Sequence, residues 1–122
     1  MQLLAGRFKG ATIRTSAKMP YRPTLSRIRK SIFDMLAPFN YPDVLDLYAG
    51  TGILGFEAAS RGANTVTFVE KNKRSIRLLK ENADQFRHIQ FIIRQQNVFI
   101  FLKKAGLYDL IIADPPYGKT DN

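Results

Sequence analysis

From Val44 onwards, segments with the apolar pattern of a buried strand alternate with segments with the pattern of a helix. Four short apolar runs, rich in β-branched residues, predict buried strands, and a helix is predicted after each of the first three. The predicted strands cover 44–48, 65–69, 89–93 and 110–113. The predicted helices pass through Phe56 to Gly62, from Asn72 to about Phe86, and from Val98 to Lys104. This order predicts an α/β fold: a parallel sheet with right-handed crossovers and helices on both faces.

The first 43 residues show a different pattern. Strand-like runs at 2–5 and 11–15 flank a turn bounded by glycines, which predicts a β-hairpin. After a loop with two prolines, Thr24 is placed to cap a helix over 25–36. The apolar face of this helix would consist of Leu25, Ile28, Ile32, Phe33 and Leu36.

Charge separates these two parts further. The chain has 19 Lys+Arg and 10 Asp+Glu, a net charge of +9. Residues 1–43 hold 8 basic and 2 acidic groups, whereas 44–122 hold 11 and 8, and no acid precedes Asp34. We expect 1–43 to be a basic extension that contacts nucleic-acid phosphates, in front of a core domain over 44–122. An ordinary solvated surface is the alternative explanation of the charge.

Composition excludes several kinds of chemistry. Cysteine is absent, which removes disulfides, thiol nucleophiles and thiolate metal sites, and the single histidine, His88, provides no histidine cluster for a metal. No apolar run approaches the roughly 20 residues that cross a bilayer, and no signal peptide opens the chain. A cytoplasmic protein without a metal is therefore the expectation.

Four polar residues stand where the predicted strands end. Asp46 lies late in the first strand, Glu70 ends the second, Asn97 follows the third and Asp114 ends the fourth. Ligands of open parallel sheets bind beyond the carboxyl ends of the strands, so these side chains should meet at one rim. Each of them alone can equally be a cap or turn residue.

The loop after the first strand carries a glycine motif. Residues 50–55 read Gly-Thr-Gly-Ile-Leu-Gly, the dinucleotide fingerprint, and Glu70 lies 18 residues after Gly52, where an acid can hold ribose hydroxyls. NAD, FAD and S-adenosylmethionine sites all use such a loop. Asp46, four residues before Gly50, favours the last of these, because a carboxylate can bind an amino group but would repel a pyrophosphate.

The tetrad Asp114-Pro115-Pro116-Tyr117 is the most specific feature. The amine of a nucleobase is a poor nucleophile because its lone pair is delocalised into the ring. Asp114 and the Pro115 carbonyl can accept its two N–H bonds, and Tyr117 can stack on a base swung out of its helix. The positioned amine can then attack a methyl group in line with a departing sulfur. A proline-rich turn that ends a strand is the structural alternative.

These motifs together resemble a known family. The segment 46–52, Glu70 and the tetrad look like those of Rossmann-like, S-adenosylmethionine-dependent amino-methyltransferases. Within that class, four further segments resemble the bacterial 16S ribosomal RNA guanine-N2 methyltransferases: 5–10, 22–24, 27–33 and 60–63.

The resemblance implies a role for each matching residue. S-adenosylmethionine would be bound by Asp46, Gly50, Gly52, Glu70, Asn97 and Val98. The guanine amine would be positioned by Asp114, Pro115 and Tyr117. Phosphates of 16S rRNA in the small ribosomal subunit would be contacted by Arg7, Lys9, Arg22, Arg27 and Arg29.

The chain departs from the family in length, since members continue beyond the tetrad with further strands. With the strand order 3-2-1-4, the fourth strand would be an exposed apolar edge, and we expect self-association there. Three alternatives to a guanine-N2 methyltransferase stay open: an adenine-N6 or cytosine-N4 enzyme with the same tetrad, an NAD-dependent oxidoreductase, and an inactive, truncated RNA-binding fragment.

Overall fold

A four-stranded parallel sheet forms the centre of the computed structural model, which describes residues 1–16 and 26–115. Its strands are β1 (Asp43–Leu47), β2 (Thr65–Glu70), β3 (Gln90–Gln95) and β4 (Leu110–Ala113). Their order is β3-β2-β1-β4, and every pair is parallel. The predicted strands and the order 3-2-1-4 are thereby confirmed.

Four helices accompany the sheet: α1 (Ser26–Met35), α2 (Ile53–Arg61), α3 (Lys73–Ala83) and α4 (Val98–Leu102). As predicted, Gly62 ends α2 and Asn72 caps α3, its side-chain oxygen accepting from the Ser75 N–H at 3.0 Å. The helix α3 ends three residues before the expected Phe86. In the described part of the chain, no helix has the length and apolar character of a membrane span.

The two faces of the sheet are covered by different helices. Alternate residues of β1 point to opposite sides, so that Val44 joins the core beneath α2 and α3, whereas Leu45 and Leu47 pack with Val69 and Val98 beneath α4. Phenylalanines fill the larger core, where the rings of Phe8, Phe56, Phe68, Phe86 and Phe91 contact one another. The expectation of helices on both faces is confirmed.

The predicted N-terminal hairpin is short. Gln2 and Thr12 form an antiparallel bridge, and the backbone N–H groups of Leu3 and Ile13 donate across the pair at 3.0 and 2.7 Å. At its end, the backbone N–H groups of Leu4 and Ala5 donate to the Glu57 carboxylate of α2. Leu3 and Ile13, both buried, join the core beneath α2. The first residues therefore pack on the same core as the sheet.

The predicted apolar face of α1 is partly wrong. Ile28 is 47% exposed, whereas Arg29 and Phe33 are the buried residues of this helix. Arg29 is buried because it meets a buried acid, Glu57 of α2, with 3.4 Å between its Nε and Oε1 of that residue. Thr24 and Leu25 lie outside the described residues.

Among the described residues, β4 has one strand neighbour, β1, and forms one edge of the sheet. The side chain of Ile111 on this strand is 55% exposed. The self-association that we expect at this edge stays a prediction.

Candidate functional site

The carboxyl ends of β1, β2 and β4 bring three acids to one rim. Asp46 lies in register with Phe68 of β2 and Ile112 of β4, two residues before Glu70 and Asp114 respectively. The charges of Glu70 and Asp114 both act on Asp46 and raise the pKa of its carboxyl group. The rim therefore concentrates negative charge around the loop that follows β1.

Asp46 is the buried member of this group, with an exposure of 1%. Burial is the main reason that its pKa is held well above the ordinary range, with smaller contributions from the two neighbouring acids. Its Oδ2 accepts a hydrogen bond of 3.0 Å from the Gly55 N–H, which lowers the pKa in part. Asp46 thus fixes the first turn of α2 to β1, and its predicted contact with a ligand's amino group stays a prediction.

Glu70 joins the two loops of the rim and is half-buried. Its Oε1 accepts from the Gly50 N–H at 2.9 Å, and its Oε2 accepts from the Asn72 N–H at 3.0 Å. Each carboxylate oxygen can accept more than one hydrogen bond, so both oxygens keep acceptor capacity for ligand hydroxyls. The arrangement suits a carboxylate that holds a diol.

Packing contacts within the domain explain why two positions of this loop are glycine. Gly52 has a φ of +81°, and a Cβ there would lie 2.4 Å from Cδ2 of Leu79. A Cβ on Gly55 would lie 2.3 Å from Cε1 of Phe68 and 3.0 Å from the Asp46 carboxyl. The fingerprint predicts a loop that binds a ligand, and the structure adds a second reason for two of its glycines, because Gly52 and Gly55 permit close packing of α2 on the core. Gly50 is the glycine that faces Glu70.

Tyr48 is a feature of the loop that sequence reasoning missed. It has a φ of +56°, a left-handed conformation that costs a non-glycine residue about 1–3 kcal/mol. Its half-buried side chain packs on the cluster of Leu45, Leu47, Val69 and Val98, which holds the strained turn in place. No residue type in the motif signals this conformation.

Asn97 begins α4 at the third strand end. Its Oδ1 accepts from the backbone N–H groups of Phe99 and Ile100 at 2.8 and 3.2 Å, so it is a helix cap. Its amide nitrogen is the polar group left to meet a ligand. Val98, the first residue of α4, is 6% exposed and packs on the apolar residues of β1 and β2, whereas Phe99 is 67% exposed beside the cap, an apolar surface that sequence reasoning missed.

The structure describes part of the tetrad 114–117, which the sequence analysis predicts to be catalytic. Asp114 follows β4 and is half-buried, and Pro115 is exposed. Tyr117 lies outside the described residues, as does Pro116. Of the predicted catalytic set, the structure therefore places Asp114 and Pro115 at the rim with Asp46.

Among the predicted RNA-contacting residues, the structure contradicts Arg29. Its side chain is 1% exposed, donates to the Gln2 carbonyl at 2.5 Å and pairs with Glu57, so it cannot reach a phosphate. Burial is also the main cause of the lowered pKa of this guanidinium. Arg29 is a structural residue that ties α1 to α2 and the N-terminal segment.

Arg7 also has a structural partner, although it is exposed. Its Nε donates to the Ala59 carbonyl at 3.1 Å, and its guanidinium NH2 group donates to the Ala63 carbonyl at 2.6 Å, which satisfies carbonyls at the end of α2. Lys9 and Arg27 are exposed. Arg22 lies outside the described residues.

Comparisons with known proteins identify a family that matches this chain. The family described as Conserved hypothetical protein 95 matches residues 1–122. A relative named "Ribosomal RNA small subunit methyltransferase D", from Buchnera aphidicola, is 35% identical over 118 residues. That match covers 94% of this chain and 62% of the relative, so the chain spans less than two thirds of the relative's length.

Solved structures match the fold. A hypothetical protein of Thermus thermophilus is 32% identical with a TM-score of 0.84, covering 96% of this chain and 70% of that chain. A SAM-dependent methyltransferase of Agrobacterium tumefaciens is 25% identical with a TM-score of 0.60, covering 73% of this chain and 30% of that chain. The expected Rossmann-like methyltransferase fold is confirmed by these similarities.

Proposed function

The chain belongs to the Conserved hypothetical protein 95 family, and from this premise we propose that it transfers a methyl group from S-adenosylmethionine to the N2 amine of a guanine in 16S rRNA. The observation that carries the proposal is the acidic rim beside the glycine loop. The charges of Glu70 and Asp114 both act on the buried Asp46 there. A cofactor with a sulfonium and an ammonium group relieves this repulsion, whereas the pyrophosphate of NAD would add to it.

In this proposal, different residues of the rim bind different parts of the cofactor. Glu70 accepts hydrogen bonds from the ribose hydroxyls with the acceptor capacity that Gly50 and Asn72 leave. Asn97 and Val98 receive the adenine beside the start of α4. When bound, S-adenosylmethionine supplies an electrophilic methyl group on its sulfonium.

At the acceptor side, Asp114 and the Pro115 carbonyl hold the guanine amine. Both oxygens are acceptors, so they orient the two N–H bonds and turn the nitrogen lone pair towards the methyl carbon. The amine would form its N–C bond as the bond between the methyl group and sulfur breaks, and it would release one proton to solvent. Tyr117 stacks on the extruded base in this proposal. Catalysis comes from positioning, which needs no metal, thiol or histidine.

Labelled methyl transfer tests the proposal most directly. The chain is incubated with labelled cofactor and, separately, small-subunit particles, naked 16S rRNA and DNA, and the products are digested to nucleosides. We expect labelled N2-methylguanosine from the ribosomal substrate. Labelled N6-methyladenine or N4-methylcytosine would support the alternative amino-methyltransferase. Thermal stabilisation by NAD and none by S-adenosylmethionine would refute the methyltransferase class.

Replacing Glu70 should weaken cofactor binding. We expect Glu70→Ala to raise the Kd for S-adenosylmethionine by at least about tenfold, equivalent to about 1.4 kcal/mol, because the ribose loses its acceptor and the Gly50 N–H loses its partner. Isothermal titration calorimetry measures the change. Glu81→Ala is the matched control, since Glu81 is an exposed acid of α3. Equal affinities of Glu70→Ala and the wild type would remove Glu70 from the cofactor site.

Cofactor affinity should depend on pH through Asp46. The pKa of this carboxyl is raised in the free protein, and a cationic ligand near the rim lowers it, so binding releases a proton. The affinity for S-adenosylmethionine should then rise with pH and level off above the pKa of the free protein. Calorimetry in buffers of different ionisation enthalpy detects the released proton.

Asp46→Asn provides the control, because an asparagine oxygen can still accept from the Gly55 N–H while the titrating group is gone. The same pH dependence in this variant would show that another group is responsible. The variant should also be more stable without ligand at neutral pH. The raised pKa of Asp46 costs stability as the pH rises above the ordinary carboxyl range.

A further inference from the structure

A groove of about 490 Å³ lies on the face of the sheet that carries α4. Thr67 of β2 and Ile92 of β3, which are in register, form its floor together with Arg94. The helix α4 and the turn that follows it form the wall. Of the residues assigned to the cofactor or to the guanine, none that the structure describes lines it.

The groove is basic. Three basic residues line it: Arg94 lies on β3, and Lys103 and Lys104 follow the end of α4. All three residues are exposed, and none takes part in a salt bridge within 1–16 and 26–115. No aspartate or glutamate is among the described residues that line the groove. Three cations with no acid beside them attract an anion.

Apolar and aromatic surface lies between these cations. Ile100 is 59% exposed, and Phe101 and Tyr108 are half-buried along the same groove. Proteins that bind single-stranded nucleic acid combine two features. Cationic groups contact the phosphates, and flat apolar surface beside them contacts the bases or riboses. A small anion would not use the apolar part.

One end of the groove opens at the rim. Gln96 lines the groove and donates its backbone N–H to the Glu70 carbonyl at 3.1 Å, and the next residue is Asn97. The groove therefore leads to the edge of the sheet where the cofactor and the target base meet in the proposed function. An RNA strand that reaches Asp114 can continue into it.

The groove is also separate from the basic N-terminal segment. Leu3 and Ile13 anchor that segment to the core beneath α2, on the opposite face of the sheet. The groove adjoins β3, at the sheet edge opposite β4. The two basic surfaces thus stand on the two faces of the sheet, with the rim between them.

We propose that this groove binds the sugar-phosphate backbone of a single-stranded rRNA segment next to the target guanine. Arg94, Lys103 and Lys104 contact phosphates, and the apolar surface of Ile100, Phe101 and Tyr108 contacts the bases or riboses. This inference rests on the proposed function and adds to it a second RNA-binding surface that the N-terminal charge pattern does not indicate.

The experiment neutralises the groove and compares it with a matched surface. The groove triple is Arg94→Gln, Lys103→Gln and Lys104→Gln, and the control triple is Arg77→Gln, Lys80→Gln and Arg87→Gln. The control residues lie on and after α3, away from the groove, and their replacement changes the net charge equally. Binding of labelled 16S rRNA by the full chain is measured over a series of salt concentrations, and the affinity for S-adenosylmethionine is measured beside it.

We expect the groove triple alone to bind rRNA more weakly. The slope of log K against log salt should become shallower by about 2, because about 0.7 is lost for each phosphate contact with a single strand. Cofactor affinity and melting temperature should stay at the wild-type values. Wild-type salt dependence in the groove triple, or an equal loss in the control triple, would overturn the proposal.

The two proposals fail in different ways. If no ribosomal substrate is methylated, yet rRNA binding depends on the groove, the proposed activity fails and the groove stands. If guanine is methylated and the groove triple binds rRNA as the wild type does, the groove proposal fails and the activity stands.

Discussion

Glu57→Ala is expected to lower the free energy of unfolding by about 3–5 kcal/mol, the cost of breaking a buried ion pair. The Glu57 side chain is fully buried. Its carboxylate accepts from the backbone N–H groups of Leu4 and Ala5 at 3.0–3.2 Å and from Nε of Arg61 at 3.0 Å, and it faces Arg29. Removing it leaves the buried Arg29 guanidinium without its counter-charge and the Leu4 and Ala5 N–H groups without their acceptor.

Thermal and denaturant unfolding measure this change. For a domain of this size we expect the melting temperature to fall by roughly 10–20 °C. Glu81→Ala is the control, because the Arg14–Glu81 pair, at 3.6 Å, is exposed on both sides and should contribute less than about 1 kcal/mol. A Glu57→Ala variant as stable as Glu81→Ala would show that the buried pair does not hold the N-terminal segment in place.

A double variant separates charge from packing. Glu57→Leu with Arg29→Met removes both charges, and apolar replacements of a buried pair recover stability that single removal loses. Recovery should be partial, since the Leu4 and Ala5 N–H groups still lack an acceptor. A double variant less stable than Glu57→Ala would contradict the electrostatic explanation.

The strands and their order could be predicted because the information for them is local. In a parallel sheet covered on both faces, strands are short continuous apolar runs, and the segment 110–113 shows this directly. Polar residues at the strand ends then fix which edge faces a ligand. Asp46, Glu70 and Asp114 meet at that edge, since parallel strands end at the same side.

The sequence pattern predicts the wrong environment for Arg29, because the burial of this residue depends on a contact with a residue far along the chain. Helical periodicity treats an arginine as an outward residue, and the adjacent Ile28 as an inward one. The acid that compensates the burial of Arg29, Glu57, lies on another helix and also accepts from the Leu4 and Ala5 N–H groups. This long-range contact explains why the helical pattern gives the wrong position for Arg29.

The glycine motif is a second case in which the sequence alone does not show a long-range contact. Its spacing indicated a ligand loop, and the loop does lie at the rim. The sequence could not show that Gly52 and Gly55 are required by Leu79 and Phe68, because those contacts exist only after α2 and α3 pack on the sheet. The left-handed turn at Tyr48 likewise depends on tertiary packing.

Asp114→Ala is expected to lower methyl transfer to small-subunit particles by about 100- to 1,000-fold, the range for removing one preorganised group that stabilises a transition state. The guanine amine would lose one of its two acceptors, and its lone pair would no longer be held towards the methyl carbon. The Kd for S-adenosylmethionine should change by less than about threefold, because Glu70, Gly50 and Asn97 are untouched. Single-turnover transfer of labelled methyl groups and calorimetry give the two values.

A second readout separates this role from a general loss of structure. The charge of Asp114 contributes to the raised pKa of Asp46, so Asp114→Ala should move the pH dependence of cofactor binding to lower pH. A misfolded rim would weaken binding at every pH instead of moving its midpoint. Asp114→Asn should show the same displacement, since it removes the charge, while its one remaining acceptor oxygen keeps more transfer than alanine does. Turnover by Asp114→Ala at the wild-type rate would mean that another acceptor holds the amine, and an unmoved midpoint would mean that Asp114 does not act on Asp46 across the rim.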